Sequence, residues 1–241
     1  MSGATSTTVT QNALATAIGA AVNARTELPV TATVLANVVT LTAKCAGIRG
    51  NQYILMQDTT LLPSTISSAI AGGASVTGGG VVFTSGAGTE DVTALLSTIS
   101  STEYARIAFA QNDTTNLPII ETWLNNQAAW DVGILQNGVV GLNTSLSAAT
   151  TLATVTMNAE RLQLLAMQNG ESHPSEMAAR WTAHRSVFEQ IDPAASSQYD
   201  GFALTGIAPQ TQDGDRWTTS EQDTLLNNGV TPVTTNDNGD A

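Results

Sequence analysis

Apolar residues recur at Leu14, Ala17, Ile18, Ala21 and Val22. That spacing predicts a helix whose apolar stripe packs inward, opened by Thr10 or Asn12 as cap. Two β-prone runs follow, Val30–Leu35 and Val38–Ala43, split only by Ala36 and Asn37. This is the pattern of a hairpin. Tyr53–Met56 reads as a further short strand. One helix over two or three strands makes a small α/β layer. Residues 57–79 read as a connector, with Gly72, Gly73, Gly78 and Gly79 favouring turns.

From Val81 the rhythm changes. Val81–Phe83 begins a strand. Thr89 is positioned to cap a helix bearing Val92, Leu95, Leu96 and Ile99. Tyr104–Ala110 reads as a strand. Asn116 and Pro118 open a helix carrying Ile120, Trp123, Leu124 and Ala128. Val132–Leu135 reads as a strand, Ser145–Thr154 as a short helix, Arg161–Ala166 as a strand and His173–Ile191 as a long helix. Strands and helices alternate, and the strands are apolar throughout. This predicts an α/β fold, a mostly parallel sheet with helices on both faces and right-handed crossovers. In the tail, Phe202–Gly206 reads as a strand. Ser220 starts a helix with Asp223 at the capping-box position, Gly229 ends it, and Val230–Thr235 reads as a last strand. The division expected is an N-terminal α/β element with connector over 1–79 and a core domain over 80–241. Both ends read as cut, with a helix and no strand before it at the start and no packing element after the last strand.

Composition changes the picture by what it withholds. The 241 residues carry 8 Lys and Arg against 20 Asp and Glu, a formal charge of -12. The basic residues are scattered, which argues against a nucleic-acid backbone as partner. Charged residues make up 12% of the chain, about half the share usual in globular domains. The polar surface is therefore largely Thr, Ser, Asn and Gln. Mean hydropathy is +0.04, and no apolar run approaches the ~20 residues of a membrane-spanning helix. No signal peptide is visible.

Candidate chemistry is sparse. Gly86, Ala87 and Gly88 follow a strand and precede a helix, but Asp91 stands where a dinucleotide loop needs a small residue. They read as a tight turn. His184 sits in the series Met177, Trp181, His184, Phe188 and Ile191, one helix face, and is expected to be buried there. His173, before Pro174, is expected to be exposed. On one helix the two histidines lie ~16 Å apart, too far to share a metal. Asp113, Asp131 and Asp192 are available to a Ser–His–Asp arrangement, but no serine sits in a nucleophile elbow. Glu90 with Asp91, and Asp213 with Asp215, read as acidic turns lacking calcium-loop spacing. Cys45 follows Lys44 without a nearby histidine in sequence and reads as inert. Trp123 and Trp181 fall on apolar helix faces. Trp217, in the polar stretch Asp213–Thr218, either meets a neighbouring subunit or folds back on its own domain. Arg216 is flanked by Asp213, Asp215 and Glu221, which predicts an intrachain ion pair. No catalytic, cofactor-binding or metal-ligating residue is nominated.

Several stretches, in order, resemble the contractile tail sheath protein of Mu-like bacteriophages. Leu28–Ala32, Val39–Lys44 and Gly47–Asn51 look like that family's hairpin and the Gly–Asn turn after it. Arg216, Trp217 and Thr218, then Glu221–Gly229, look like its Arg-aromatic-Thr and Glu-Arg-Asn-x-Leu-Leu-x-Asp-Gly segments. Pro174–Ala179 and Phe202–Ile207 are consistent with it. The chain departs at Cys45, Gln222, Asp223 and Asn228. The resemblance runs from about Asn12 to Gly239.

The resemblance implies a subtilisin-like but non-catalytic core and no cofactor. It implies a structural subunit that polymerises around a tail tube and contracts to drive it through the host envelope. The partners implied are other sheath subunits, the tail tube and the baseplate, without nucleic acid or membrane insertion. The implied location is the virion, after assembly in the bacterial cytoplasm. Family members are tied together by terminal arms that exchange strands with neighbours. A chain lacking those arms is expected to be monomeric or weakly associated. The alternatives left by the residues are the sheath of a non-phage injection system and a soluble hydrolase-type α/β enzyme.

Overall fold

The computed structural model describes residues 11–45, 47–55, 74–75, 81–157, 159–191, 203–208, 210 and 213–235. The chain opens with α1 (Gln11–Ala24) over an antiparallel hairpin of β1 (Val30–Leu35) and β2 (Val38–Ala43). The two-residue turn falls on Ala36 and Asn37 as expected, and Ala36 takes the left-handed φ of 54° that such a turn needs.

The face that α1 buries differs from the expected stripe. Ala15 and Gly19 are buried, while Leu14 and Ile18 are exposed. The cause is close approach. A Cβ on Gly19 would lie 2.4 Å from Val34 Cγ2, so only the small-residue side of the helix can sit on the hairpin. Asn23 then fixes α1 to β1 through a paired amide contact. Its Nδ2 donates to the Ala32 carbonyl and its Oδ1 accepts from the Ala32 N–H, both at 2.8 Å.

A second small sheet has the order β3-β5-β4, all antiparallel, from β3 (Ile54–Leu55), β4 (Ala74–Ser75) and β5 (Val81–Val82). Met56, the last residue of the expected strand Tyr53–Met56, and the expected connector apart from Ala74 and Ser75 lie outside the described residues. The body is a four-stranded parallel sheet in the order β6-β7-β8-β9. Its strands are β6 (Arg106–Phe109), β7 (Asn137–Asn143), β8 (Leu162–Met167) and β9 (Val230–Pro232). The helices are α2 (Thr93–Ile99), α3 (Asn116–Gln127), α4 (Leu146–Thr151), α5 (Pro174–Ile191) and α6 (Thr219–Asn227). A π-helical stretch, Leu152–Met157, continues α4.

The body is α/β, as the alternation predicts, but one strand is displaced. Val132–Leu135 is loop, with Val132 and Leu135 exposed, and the strand is Asn137–Asn143. Its sequence contains Gly138 and Gly141, and interior glycines weaken a strand signal. Gly141 is required by a backbone approach, and Gly138 leaves room for neighbouring side chains. A Cβ on Gly141 would stand 2.0 Å from the Pro174 carbonyl oxygen, and one on Gly138 would stand 2.5 Å from Leu162 Cδ1. A glycine in a strand interior marks such a close approach. The expected strand over 202–206 is also absent where it is described: residues 203–204 are irregular and 205–206 form a turn.

Alternate residues of β7 and β8 feed two cores. Val140, Leu142, Leu162, Leu164 and Ala166 join side chains of α2, α3, α4 and α6 on one face. Val139, Leu165 and Met167 meet Met177, Ala178 and Trp181 of α5 on the other, with Leu204, Ile207 and Val233. Trp217 belongs to the first core. It is buried and its Nε1 donates to the Ala166 carbonyl at 3.1 Å. It therefore folds back on its own domain. The capping box of α6 is two residues earlier than the sequence suggested, from Thr218 to Glu221. Thr218 holds the Glu221 carboxyl below the usual carboxylate range, chiefly through its backbone N–H and then its hydroxyl.

Gly141→Ala is expected to lower stability more than a routine overpacking change of about 1–3 kcal/mol, because its obstacle is backbone. Trp217→Ala is expected to cost about 3–5 kcal/mol. Gly214→Ala, where a Cβ meets nothing within 4 Å, should shift it by less than about 0.5 kcal/mol. Urea denaturation of the three variants checks this order.

Candidate functional site

The two glycine-rich stretches noted in the sequence turn out to be the two halves of one joint. The 3-10 turn Ile48–Gln52 leaves the N-terminal layer and lies against the loop Ser85–Glu90 of the body. Asn51 pairs with Gly86 in both directions, Nδ2 to the carbonyl at 3.0 Å and the Gly86 N–H to Oδ1 at 2.8 Å. Ile48 N–H donates to the Gly88 carbonyl at 3.0 Å. A Cβ on Gly86 would fall 2.3 Å from the Gly47 oxygen, and one on Gly47 would fall 2.7 Å from the Gly88 oxygen. Gly47 also has φ 84°, a region open mainly to glycine. The Gly86–Gly88 turn thus receives protein backbone. Arg49 pairs with Glu90 across the joint at 2.9 Å, and Gln52 Nε2 donates to Asn112 Oδ1 at 2.7 Å.

His173 completes the joint from the far side. It is half-buried, contrary to the expectation of exposure, because its ring packs on Tyr53 with centroids 4.9 Å apart. Its Nδ1 accepts from the Ser175 N–H at 3.2 Å and lies 2.7 Å from Ser175 Oγ. The imidazole therefore acts as an N-terminal cap for α5, and the Ser–His contact is a capping contact. Burial pushes the His173 pKa down, and the nearby Arg49 charge adds to this. The Arg49 backbone and Glu176 act in the opposite direction. Cys45 Sγ sits 3.8 Å from the Tyr53 hydroxyl. Burial, and then the Cys45 contact, raise the Tyr53 pKa.

The other residues weighed for chemistry do not converge. His184 is half-buried on α5 and stacks on Phe188, with centroids 4.7 Å apart. Its expected seam holds at Met177 and Trp181 but is lost by Ile191, which is 76% exposed. Asp113 caps α3, accepting from the Thr115 and Asn116 N–H groups and from Asn116 Nδ2. Asp91 accepts from the Thr93 N–H. Asp215 is buried and accepts from Asn169 Nδ2 at 2.8 Å. Asp131 is exposed, and Asp192 lies outside the described residues. Among the described residues no group of three His, Cys, Asp or Glu side chains is placed to hold a metal ion. No described helix is long and apolar enough to cross a membrane.

The sequence gives no warning of a surface on the N-terminal layer. The outward face of the hairpin carries Thr31, Thr33, Thr40 and Thr42 together with Leu35 and Val38, all exposed. Leu14 and Ile18 are exposed on α1. The sheet here is only two strands wide among the described residues. Only β1 has part of its outer edge occupied in the described contacts, by Asn23 at Ala32. Strand alternation predicted the hairpin but not that both its outer face and the larger side of its helix would be left uncovered. No protein-family model matches the chain, and no curated protein matches it in sequence.

Gly86→Val is expected to open the joint while sparing the body. Limited proteolysis should cut near residues 45–53 faster, with the melting of the parallel-sheet core little changed. A second expectation follows from His173. Its folded pKa lies below the ordinary 6.5, so the unfolded chain takes up a proton first as pH falls. Stability present above about pH 6.5 is then lost progressively toward the lower folded pKa. His173→Asn keeps a capping acceptor and does not titrate. Urea midpoints between pH 7.5 and 5 should fall less steeply for it than for the wild-type chain.

Proposed function

We propose that this chain is the core of a contractile tail sheath subunit, a structural protein that assembles with copies of itself around a tail tube. The observation that carries the reading is the unfinished N-terminal layer. A two-stranded hairpin is marginal by itself, and three or more strands are normally needed for independent stability. Here the hairpin has two strands, an uncovered threonine face and exposed Leu35 and Val38 at its tip. Such a layer is suited to taking a strand from another chain, with backbone hydrogen bonds supplying affinity. The ordered resemblance supports the same reading, because its hairpin and Gly–Asn turn fall on β1, β2 and the joint.

The joint fits the mechanical demand. A contracting sheath repacks the outer surfaces of its subunits while strand-exchange links stay tied. The linking layer must then be fixed to the body at a defined place. The Asn51–Gly86 pair and the Arg49–Glu90 ion pair do this through short, geometry-bound contacts. Open-ended helical growth of such a sheath needs head-to-tail surfaces between copies.

Electron microscopy of the protein expressed from its complete gene tests the proposal. Tubes or stacked rings are expected, and Gly86→Val should reduce their yield. Absence of any ordered assembly, together with absence from purified virions, overturns it.

A further inference from the structure

The body carries a cleft of about 600 Å³ at the carboxyl ends of β6 and β7, within the range of small-molecule sites. It does not arise as in most open α/β sheets, where adjacent loops leave for opposite faces. Here α3 and α4 both cover the same face. The cleft exists because the joint holds the 3-10 turn over the loops, so that Ile48 and Gln52 form its outer wall.

The lining has two chemical parts. Leu142, Ala148 and Leu152 supply an aliphatic floor. The rim is amide and hydroxyl: Asn112, Thr114, Thr144, Ser145 and Ser147, with the single carboxylate of Asp113. Much of this rim is already oriented. Asn112 accepts from Gln52 and donates one hydrogen to the Gly141 carbonyl at 3.1 Å, which leaves its second amide hydrogen. Ser145 Oγ accepts from the Ala148 N–H, so its hydroxyl hydrogen can donate. Asp113 accepts three hydrogen bonds at the start of α3, and a carboxylate has capacity for about four. The rim therefore offers both donors and acceptors at fixed points.

Charge narrows the ligand class. No Lys, Arg or His lines the cleft, and the chain carries a formal charge of -12. Phosphates and carboxylates are disfavoured. An apolar compound would leave the rim's donors and acceptors without partners on the ligand. A pyranose ring has hydroxyls at its edge and C–H groups on its face, and so matches both rim and floor. We propose that this cleft is a binding site for a neutral saccharide of one or two rings. The site is independent of strand exchange, so it stands or falls separately from the sheath reading.

The test is a titration of the ¹⁵N-labelled chain with N-acetylglucosamine, galactose and lactose, with glycerol as control, followed by amide shifts. At least one sugar is expected to give saturable changes confined to Asn112–Thr115 and Thr144–Ala148, with a Kd of about 1 mM. Ser147→Trp fills the mouth from an exposed helix position. It should remove those changes while leaving the rest of the spectrum in place. No saturable change with any sugar up to about 100 mM, a hundredfold above that Kd, overturns the proposal. So does an equal response to glycerol, or undiminished binding by the Ser147→Trp variant.

Discussion

The architecture depends on a place where two backbones come too close for any side chain. Gly47 and Gly86 meet so that a Cβ on either would strike a carbonyl oxygen of the other segment. At that separation the contact has to be made by peptide groups, and Asn51 supplies the amide that pairs with them. The N-terminal layer is thereby positioned against the body by hydrogen-bond geometry more than by buried area. The ion pair beside it, Arg49 with Glu90, has both side chains partly exposed. A pair of that kind adds only about 0–1 kcal/mol, so the peptide contacts set the geometry. The outer wall of the polar cleft and the packing of Tyr53 on His173 both follow from it.

The same device recurs inside the body. Gly141 lets the start of α5 approach β7 at the Pro174 carbonyl, and Gly138 makes room for Leu162. The two glycines lie on opposite faces of β7: Gly141 faces α5, while Gly138 sits under Leu162, Phe109 and Leu124. Leu117, Ile120 and Leu124 of α3 are fully buried against β7 and β8. Arg106 of β6 and Arg185 of α5 both pair with Glu189. That network joins the edge strand to the helix that crosses back over it.

These contacts explain what could be read from the sequence. The hairpin, α3, β8, α5, α6 and the parallel alternation were legible because their apolar periodicities are local. The central strand β7 was not. Its glycines carry information about Pro174 and Leu162, which lie more than twenty residues away in sequence, and locally they only weaken the strand signal. The buried side of α1 was misjudged for a related reason. Hydrophobic size points to Leu14 and Ile18, whereas the contact with Val34 selects Gly19 and Ala15. The joint was noticed as two unrelated turns, because nothing within either segment announces a partner 35 residues away. His173 was misread because an exposed position before proline and a helix-capping position look alike in sequence.

The charge distribution bears on how such a chain meets other molecules. Several of its few cations are engaged within the chain. Arg49, Arg106 and Arg185 pair with Glu90 and Glu189. Arg180 donates to the Thr205 carbonyl and Lys44 to the Thr26 carbonyl. What remains outward is acidic overall, so copies of the chain repel one another at long range, with a reach of about 10 Å at moderate salt. Under the sheath proposal, contacts between copies would have to rest on short-range terms: backbone hydrogen bonds, hydroxyl groups and apolar side chains. The surface with those properties is the N-terminal layer, where Thr31, Thr33, Thr40 and Thr42 share a face with Leu35 and Val38. A layer built this way is insensitive to partner charge and selective for partner geometry, and the glycine joint holds that geometry in register with the body.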